Sequence, residues 1–266
     1  VGVLGELSAA SRERADALAG RAAALERAAL AAPSVPGLAA ALRRPTVAVI
    51  GEVKRRSPSK GDIAPGLSAA AQSAAYADGG AAALSILTEP LRFGGSDDDV
   101  HAARGATTLP ILKKDFHVDA LQMLEARALG ASGALLIARA LHPATLRELA
   151  AVARGVGLET LVEIRDEREL EAALAADAAI IGVNNRNLET LVIDLATGER
   201  LVPLIPADRI AVFESGVYGV AEVERAAAAG ADAVLVGSSI SAAADPAAAV
   251  RALAGVPSRS RAGIAA

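Results

Sequence analysis

Short β-type apolar runs, each ending on a charged or small polar residue, alternate along this chain with segments of helical period. The runs are Thr46 to Val53, Ala82 to Leu87, Leu109 to Lys113, Gly133 to Ile137, Glu159 to Val162, Ile180 to Val183, Ile210 to Phe213 and Ala233 to Val236. Continuous apolar runs of this length mark parallel strands buried on both faces. Helical patterns lie between them, such as 68–78, 120–128, 144–154, 167–175 and 220–229. Gly79, Gly130, Gly157 and Gly230 stand where helices need C-caps. Eight strands alternating with helices predict an α/β fold, a (β/α)8 TIM barrel. An open doubly wound sheet is the alternative, weakened by the lack of a GxGxxG turn after the first strand. Residues 4–31 read as helix, and Leu38 to Leu42 as a further turn before Pro45. No linker is visible. The expectation is one domain over 1–266, with 1–45 as an N-terminal helical extension covering the barrel mouth.

A barrel of this type gathers residues from the C-terminal ends of its strands onto one rim. Those ends carry Glu52 and Lys54, Lys113 and Lys114, Glu163, Asn184, Glu214 and Ser215, and Gly237 and Ser238. Side chains alternate faces along a strand. Glu52 and Lys54 therefore point the same way, and Lys113 and Lys114 point oppositely, with Lys113 assigned to the outer layer. Lysines at strand ends facing carboxylates across a small mouth suit proton donation and proton transfer. The last two strands run into Glu214-Ser215-Gly216 and Gly237-Ser238-Ser239. Gly and Ser at two successive turns into helices predict a phosphate cradle, where backbone N–H groups face an anion and glycine lets it approach.

Composition narrows the partners. The net charge of −4 and 2% aromatic content give little to hold a phosphate backbone or to stack bases. No apolar run reaches the ~18 residues that span a bilayer, and the N-terminus lacks the apolar core of a signal peptide. Cysteine is absent, which fits a reducing cytoplasm and removes thiol chemistry. The expectation is neither nucleic acid nor membrane as partner, and a monomer, with a weak homodimer as the alternative. His101, His117 and His142 show no metal-ligand spacing. Asp97-Asp98-Asp99 after Ser96 reads as the acidic first turn of a capped helix. Lys54-Arg55-Arg56 with Ser57-Pro58-Ser59 reads as a loop over an anionic substrate.

The motifs GEVKRRSPSKG at 51–61, SILTEPLRFGGS at 85–96, LPILKKDF at 109–116, LVEI at 161–164, IGVNNRNL at 181–188, FESG at 213–216 and LVGS at 235–238 occur in this order. Together they closely resemble the indole-3-glycerol phosphate synthases of tryptophan biosynthesis. The resemblance implies conversion of 1-(2-carboxyphenylamino)-1-deoxyribulose 5-phosphate to indole-3-glycerol phosphate, carbon dioxide and water, a carboxy-lyase reaction with neither metal nor organic cofactor. It implies Lys114 as the general acid on the substrate ketone and Glu163 as the proton-transfer carboxylate of the dehydration. Lys54 would hold the substrate carboxylate and serve as acid when hydroxide leaves. Glu52 and Glu214 would position and tune these groups. Asn184 and Arg186 would orient the substrate, and Phe93, Phe116 and Leu135 would wall its aromatic ring. The phosphate would sit on Gly216, Gly237 and Ser238, with Ser57 nearby and Ser215 between the two halves. Departures from the family pattern are Arg165 where His is frequent, the acidic run 97–99, and Gly51 where Ala is usual, a change expected to loosen the first strand slightly.

Two other readings stand beside this one. A phosphoribosylanthranilate isomerase-like barrel wants an acid–base pair that commonly includes Cys, which this chain lacks. A non-catalytic phosphosugar-binding barrel predicts an eroded Lys114 or Glu163, and both are present.

Overall fold

The computed structural model describes residues 2–261. Eight parallel strands close on themselves: β1 (Ala48–Val53), β2 (Ala83–Leu87), β3 (Ile111–Lys114), β4 (Gly133–Ile137), β5 (Glu159–Ile164), β6 (Ile180–Asn184), β7 (Ile210–Glu214) and β8 (Ala233–Val236). Each pairs with its neighbours in chain order, and β8 pairs with β1 in the register Ala48↔Ala233 to Gly51↔Val236. Helices follow the strands on the outside, as a (β/α)8 barrel requires.

Two apolar layers follow from strand alternation. Val49, Leu84, Ile86, Ile111, Val162 and Phe213 face the helices. Ile50, Leu112, Leu135, Leu161, Val212 and Leu235 fill the barrel. Several helix N-termini are capped as their sequences dictate. Ser96 and Asp99 form a reciprocal capping box, which accounts for the acidic run at 97–99. Asp119 does the same with Gln122.

The extension reaches both ends of the barrel. It is not one continuous helix over 4–31. Helices Val3–Leu18 and Ala22–Ala31 are separated by a 3₁₀ turn at Ala19–Arg21, which contains Gly20, a weak helix former. Leu4 and Leu7 join the inner core above the mouth. Ser11 and Arg12 tie the first helix to Gln122 and Asp119, each at 2.8 Å. The second helix packs on Ala120–Ala128 along the barrel wall, burying Leu25 and Ala29. Helix Leu38–Leu42 then closes the floor: both leucines are fully buried in the inner core. The Glu159 carboxylate at the start of β5 accepts the Leu38 and Ala39 N–H groups of that helix. Gly133 leaves room for it, since a Cβ there would lie 3.0 Å from Leu38.

Three local expectations change. Strand β3 starts at Ile111, not Leu109, because Pro110 has no N–H to give a ladder. At the Gly79-Gly80 pair it is Gly80 that turns left-handed, with φ +90°. Gly79 keeps helical angles and is small because Val250 and the Ala247 carbonyl lie against it. Gly51 does not loosen β1: the Tyr76 ring lies where its side chain would be, 2.6 Å from a built Cβ. Among the described residues no helix is long and apolar enough to cross a membrane.

Candidate active site

Alternation along β1 and β3 sends Glu52, Lys54 and Lys114 inward at the C-terminal rim. Lys113 points out, as its parity requires, yet it is buried. Its ammonium meets Asp97 at 2.8 Å and Glu125 at 3.0 Å between the barrel and its helices. Glu163 enters from β5, Asn184 from the last position of β6, and Glu214 from the last position of β7.

These side chains form one connected cluster. Lys114 Nζ lies 2.9 Å from Glu214 Oε2, 3.7 Å from Glu52 Oε2 and 3.8 Å from Glu163 Oε2. Lys54 Nζ lies 2.5 Å from Glu52 Oε1, so Glu52 bridges the two ammonium groups. All three carboxylates are buried. Small residues create their space. A Cβ on Gly182 would collide with the Glu214 carboxylate, and one on Gly237 with that of Glu52.

Burial and charge set the protonation states in opposite directions. Burial pushes Glu52 up, but Lys54 and Lys114 outweigh it and hold the carboxyl below its ordinary range. Burial pulls Lys114 down, yet Glu214, Glu52 and Glu163 overcome it and keep the ammonium charged well above its usual range. Glu163 goes the other way. Burial and then the neighbouring Glu214 charge raise it to about 7, against the opposing pull of Lys114 and a hydrogen bond with Asn184. The rim thus holds an ammonium that stays charged beside a carboxyl poised near neutrality.

A cavity opens above this cluster. Phe93, Phe116 and Leu135 line one side, the two rings 6.3 Å apart between centroids, and Leu4, Leu7 and Leu188 complete the apolar wall. Ser57, Asn184, Arg186, Ser215 and Ser238 line the polar side. Asn184 Oδ1 accepts the Arg186 N–H at 2.9 Å, and the Arg186 guanidinium is braced by the Leu191 carbonyl at 2.9 Å. The Ser57 hydroxyl accepts the Lys60 N–H at 3.2 Å and so tightens the turn after β1.

A second, smaller cavity adjoins the first beneath the ends of β7 and β8, lined by Ser215, Gly216, Gly237 and Ser238 together with Lys54 and Arg186. Ser215 and Gly216 both adopt left-handed angles, φ +64° and +84°, an unusual conformation for a serine. The two glycines are demanded by protein neighbours. Leu195 and Ile193 press on Gly216, and Glu52 presses on Gly237.

Apart from the outward-facing Lys113, the residues singled out at the strand ends meet at this one rim. Of the loop after β1, Lys54, Ser57, Pro58 and Ser59 line the cavity, whereas its two arginines turn away. Arg55 makes a two-pronged pair with Asp99 at 2.6 and 2.8 Å, and Arg56 pairs with Asp62 at 2.8 Å, so these guanidiniums hold the loop rather than face the cavity. Sequence reasoning also passed over Asp115. It accepts from Thr88 at 2.8 Å and from its neighbour Phe116 N–H at 2.7 Å, and pairs with Arg14 of the extension at 2.5 Å. Its position next to Lys114 was the available signal. Among the described residues no group of His, Cys, Asp or Glu is arranged to hold a metal ion; the Lys114 ammonium stands between the three carboxylates.

Solved structures share the architecture at low identity. A 3-hexulose-6-phosphate synthase from Salmonella typhimurium superposes with a TM-score of 0.64 at 15% identity, over 78% of this chain and 96% of that one. At this identity the likeness establishes the barrel alone. Sequence relatives are far closer. Indole-3-glycerol phosphate synthase 2 of Streptomyces coelicolor is 49% identical over 227 residues, covering 85% of this chain and 88% of its own. The enzyme of that name from Nocardioides sp. is 52% identical over 79% and 81%, and that from Mycolicibacterium gilvum 46% identical over 91% and 87%. The family model for indole-3-glycerol phosphate synthase matches residues 6–253, a span that takes in most of the mouth-covering helix, the ammonium–carboxylate cluster and the second cavity. This chain belongs to the indole-3-glycerol phosphate synthase family.

Proposed function

We propose that this rim closes the pyrrole ring of indole-3-glycerol phosphate from 1-(2-carboxyphenylamino)-1-deoxyribulose 5-phosphate, releasing carbon dioxide and water. The observation that carries the reading is Lys114 Nζ lying within 4 Å of three buried carboxylates beneath an apolar wall. An ammonium so placed stays charged and can give its proton to the substrate ketone. Protonation makes that carbon electrophilic, and the aryl carbon bearing the carboxylate attacks it. Loss of carbon dioxide then returns the ring electrons and restores aromaticity. The hydroxyl left at the former carbonyl carbon departs as water with a proton from Lys54, while Glu163 takes the proton released as the new double bond forms. A carboxyl near pKa 7 suits that last transfer.

The remaining residues bind and orient. Lys54 first faces the substrate carboxylate across Glu52. Glu52 and Glu214 set the charge and position of the lysines. Asn184 and Arg186 guide the sugar chain and the anthranilate part, and Phe93, Phe116 and Leu135 stack beside the ring. Gly216, Gly237 and Ser238, flanked by Ser57 and Ser215, receive the phosphate. Apolar surroundings weaken screening, so each of these charges acts more strongly on the developing intermediate. A substrate carrying a phosphate and a carboxylate does not cross a bilayer unaided, which supports a cytoplasmic location.

The test is direct. Purified protein is incubated with the carboxyphenylamino-deoxyribulose phosphate, without added metal, and indole fluorescence is followed. Turnover is the expected result. Tight binding without turnover would favour the non-catalytic phosphosugar barrel, and conversion of phosphoribosylanthranilate instead would favour the isomerase.

A further inference from the structure

Behind the rim, on the outer side of β1, the sheet has a gap that two side chains fill. The Ala48 N–H donates to the Asp232 carbonyl at 2.9 Å, so residues 48, 50 and 52 of β1, and Lys54 just after it, turn their main-chain groups toward the β8 side. Strand β8 stops at Val236, and Gly237 takes the chain out of the sheet into the short helix Ser238–Ser241. The Glu52 carbonyl and the Lys54 N–H, next along that edge, have no strand partner left. Ser241 replaces it. Its hydroxyl donates to the Glu52 carbonyl at 3.0 Å and accepts the Lys54 N–H at 3.2 Å. The Tyr76 hydroxyl meets Ser241 Oγ at 3.0 Å and the Glu52 carbonyl at 3.3 Å. With Tyr76 donating to Ser241, the serine uses its one proton and both lone pairs.

The rest of the surroundings fit this brace. Tyr76 is fully buried, and its ring occupies the place left by the missing side chain of Gly51. Burial raises its hydroxyl to about 12, so it remains a donor. We propose that Tyr76 and Ser241 are positioning residues for the reaction: through the main chain of residues 52–54 they set where the Glu52 carboxylate stands between Lys54 and Lys114. The inference rests on the assignment of Glu52 and the two lysines to the chemistry. Glu52 touches Lys54 with one oxygen and faces Lys114 with the other, so a shift of its backbone moves both ammonium contacts together. The ring-binding wall comes from other segments, and Gly237, at the head of the short helix that carries Ser241, keeps its main-chain bond from the Ser241 N–H at 2.9 Å, which the side-chain substitutions do not touch.

Ser241→Ala, Ser241→Thr and Tyr76→Phe are compared with the parent under saturating and limiting substrate, at a temperature well below every melting midpoint. Ser241→Ala takes the partner from the Lys54 N–H and leaves the Glu52 carbonyl only the longer Tyr76 contact at 3.3 Å, and kcat is expected to fall about tenfold while KM stays within about twofold. Ser241→Thr keeps the hydroxyl and is expected to recover most of that loss. Tyr76→Phe removes only the outer link and is expected to lower kcat about threefold. A parent-like kcat in Ser241→Ala, or a threonine variant as slow as the alanine one, overturns the proposal. If the alanine variant does not fold, Tyr76→Phe decides, and a parent-like kcat there overturns it. An inactive parent would instead remove the function on which the inference stands.

Discussion

Replacing Glu214 by Gln removes one negative charge from the rim and tests the electrostatics of the whole cluster. Glu163 owes its pKa of about 7 to burial and, next, to the Glu214 carboxylate. Both carboxylates reach the same Lys114 ammonium, at 2.9 and 3.8 Å, so their nearest oxygens are at most about 6.7 Å apart. At an effective dielectric of about 20, two unit charges at that distance repel by about 2.5 kcal/mol, equivalent to just under two pH units. Burial stays unchanged in the variant, and Lys114 loses its nearest partner and leans further toward Glu163. Both effects favour the ionised carboxylate. Since Glu163 acts ionised in the proposed dehydration, kcat/KM falls as pH drops through its pKa. In Glu214→Gln that acid limb is expected to move down by roughly one to two pH units, beside an overall loss of rate. The assay is kcat/KM from indole fluorescence between about pH 5 and about pH 9. A limb that stays where the parent has it, or moves up, would refute the charge coupling between Glu214 and Glu163.

Three further outcomes follow from the same geometry. Lys114→Ala should abolish indole formation while the affinity for a phosphate-bearing product analogue, measured by calorimetry, stays close to the parent's. Glu163→Gln should be nearly as damaging to turnover, yet more stable than the parent in alkaline buffer. The raised folded pKa means that the native state keeps a proton the unfolded chain has lost, so stability present below the ordinary value of 4.5 is lost as pH rises through about 7. The variant's melting temperature should therefore exceed the parent's most clearly near pH 8 and least near pH 4, about the unfolded carboxyl value. Gly237→Val should raise KM and also lower kcat, because its side chain meets the Glu52 carboxylate before it reaches any anion; a change in KM alone would contradict that contact.

Much of the rim was legible because strand parity is a local rule. The opposite directions of Lys113 and Lys114, and the shared direction of Glu52 and Lys54, follow from adjacency alone. The cap at Ser96 is equally local. What escaped the sequence reading depends on residues that meet only after closure. The helix Ala196–Leu201 is hidden by Gly198, whose small size is required by the Phe213 ring and the Asn185 side chain rather than by a turn. Gly182 looks like a weak point in a strand until the Glu214 carboxylate is seen lying over it. Arg55 and Arg56 carry charge suited to an anionic ligand, but Asp99 and Asp62 reach them first. Tyr76 and Ser241 are 165 residues apart, and no periodicity links them.

The helix over the mouth and the one under the floor both leave the ribosome before the strands they dock on. Leu38 and Leu42 rest among residues as distant as Val212 and Leu235, and Leu4 and Leu7 wait for Phe116 and Leu135. Isolated helices this short are marginal in water. Both helices therefore wait while the barrel is made, and the cylinder can shut at both ends only once nearly all of it has been synthesised.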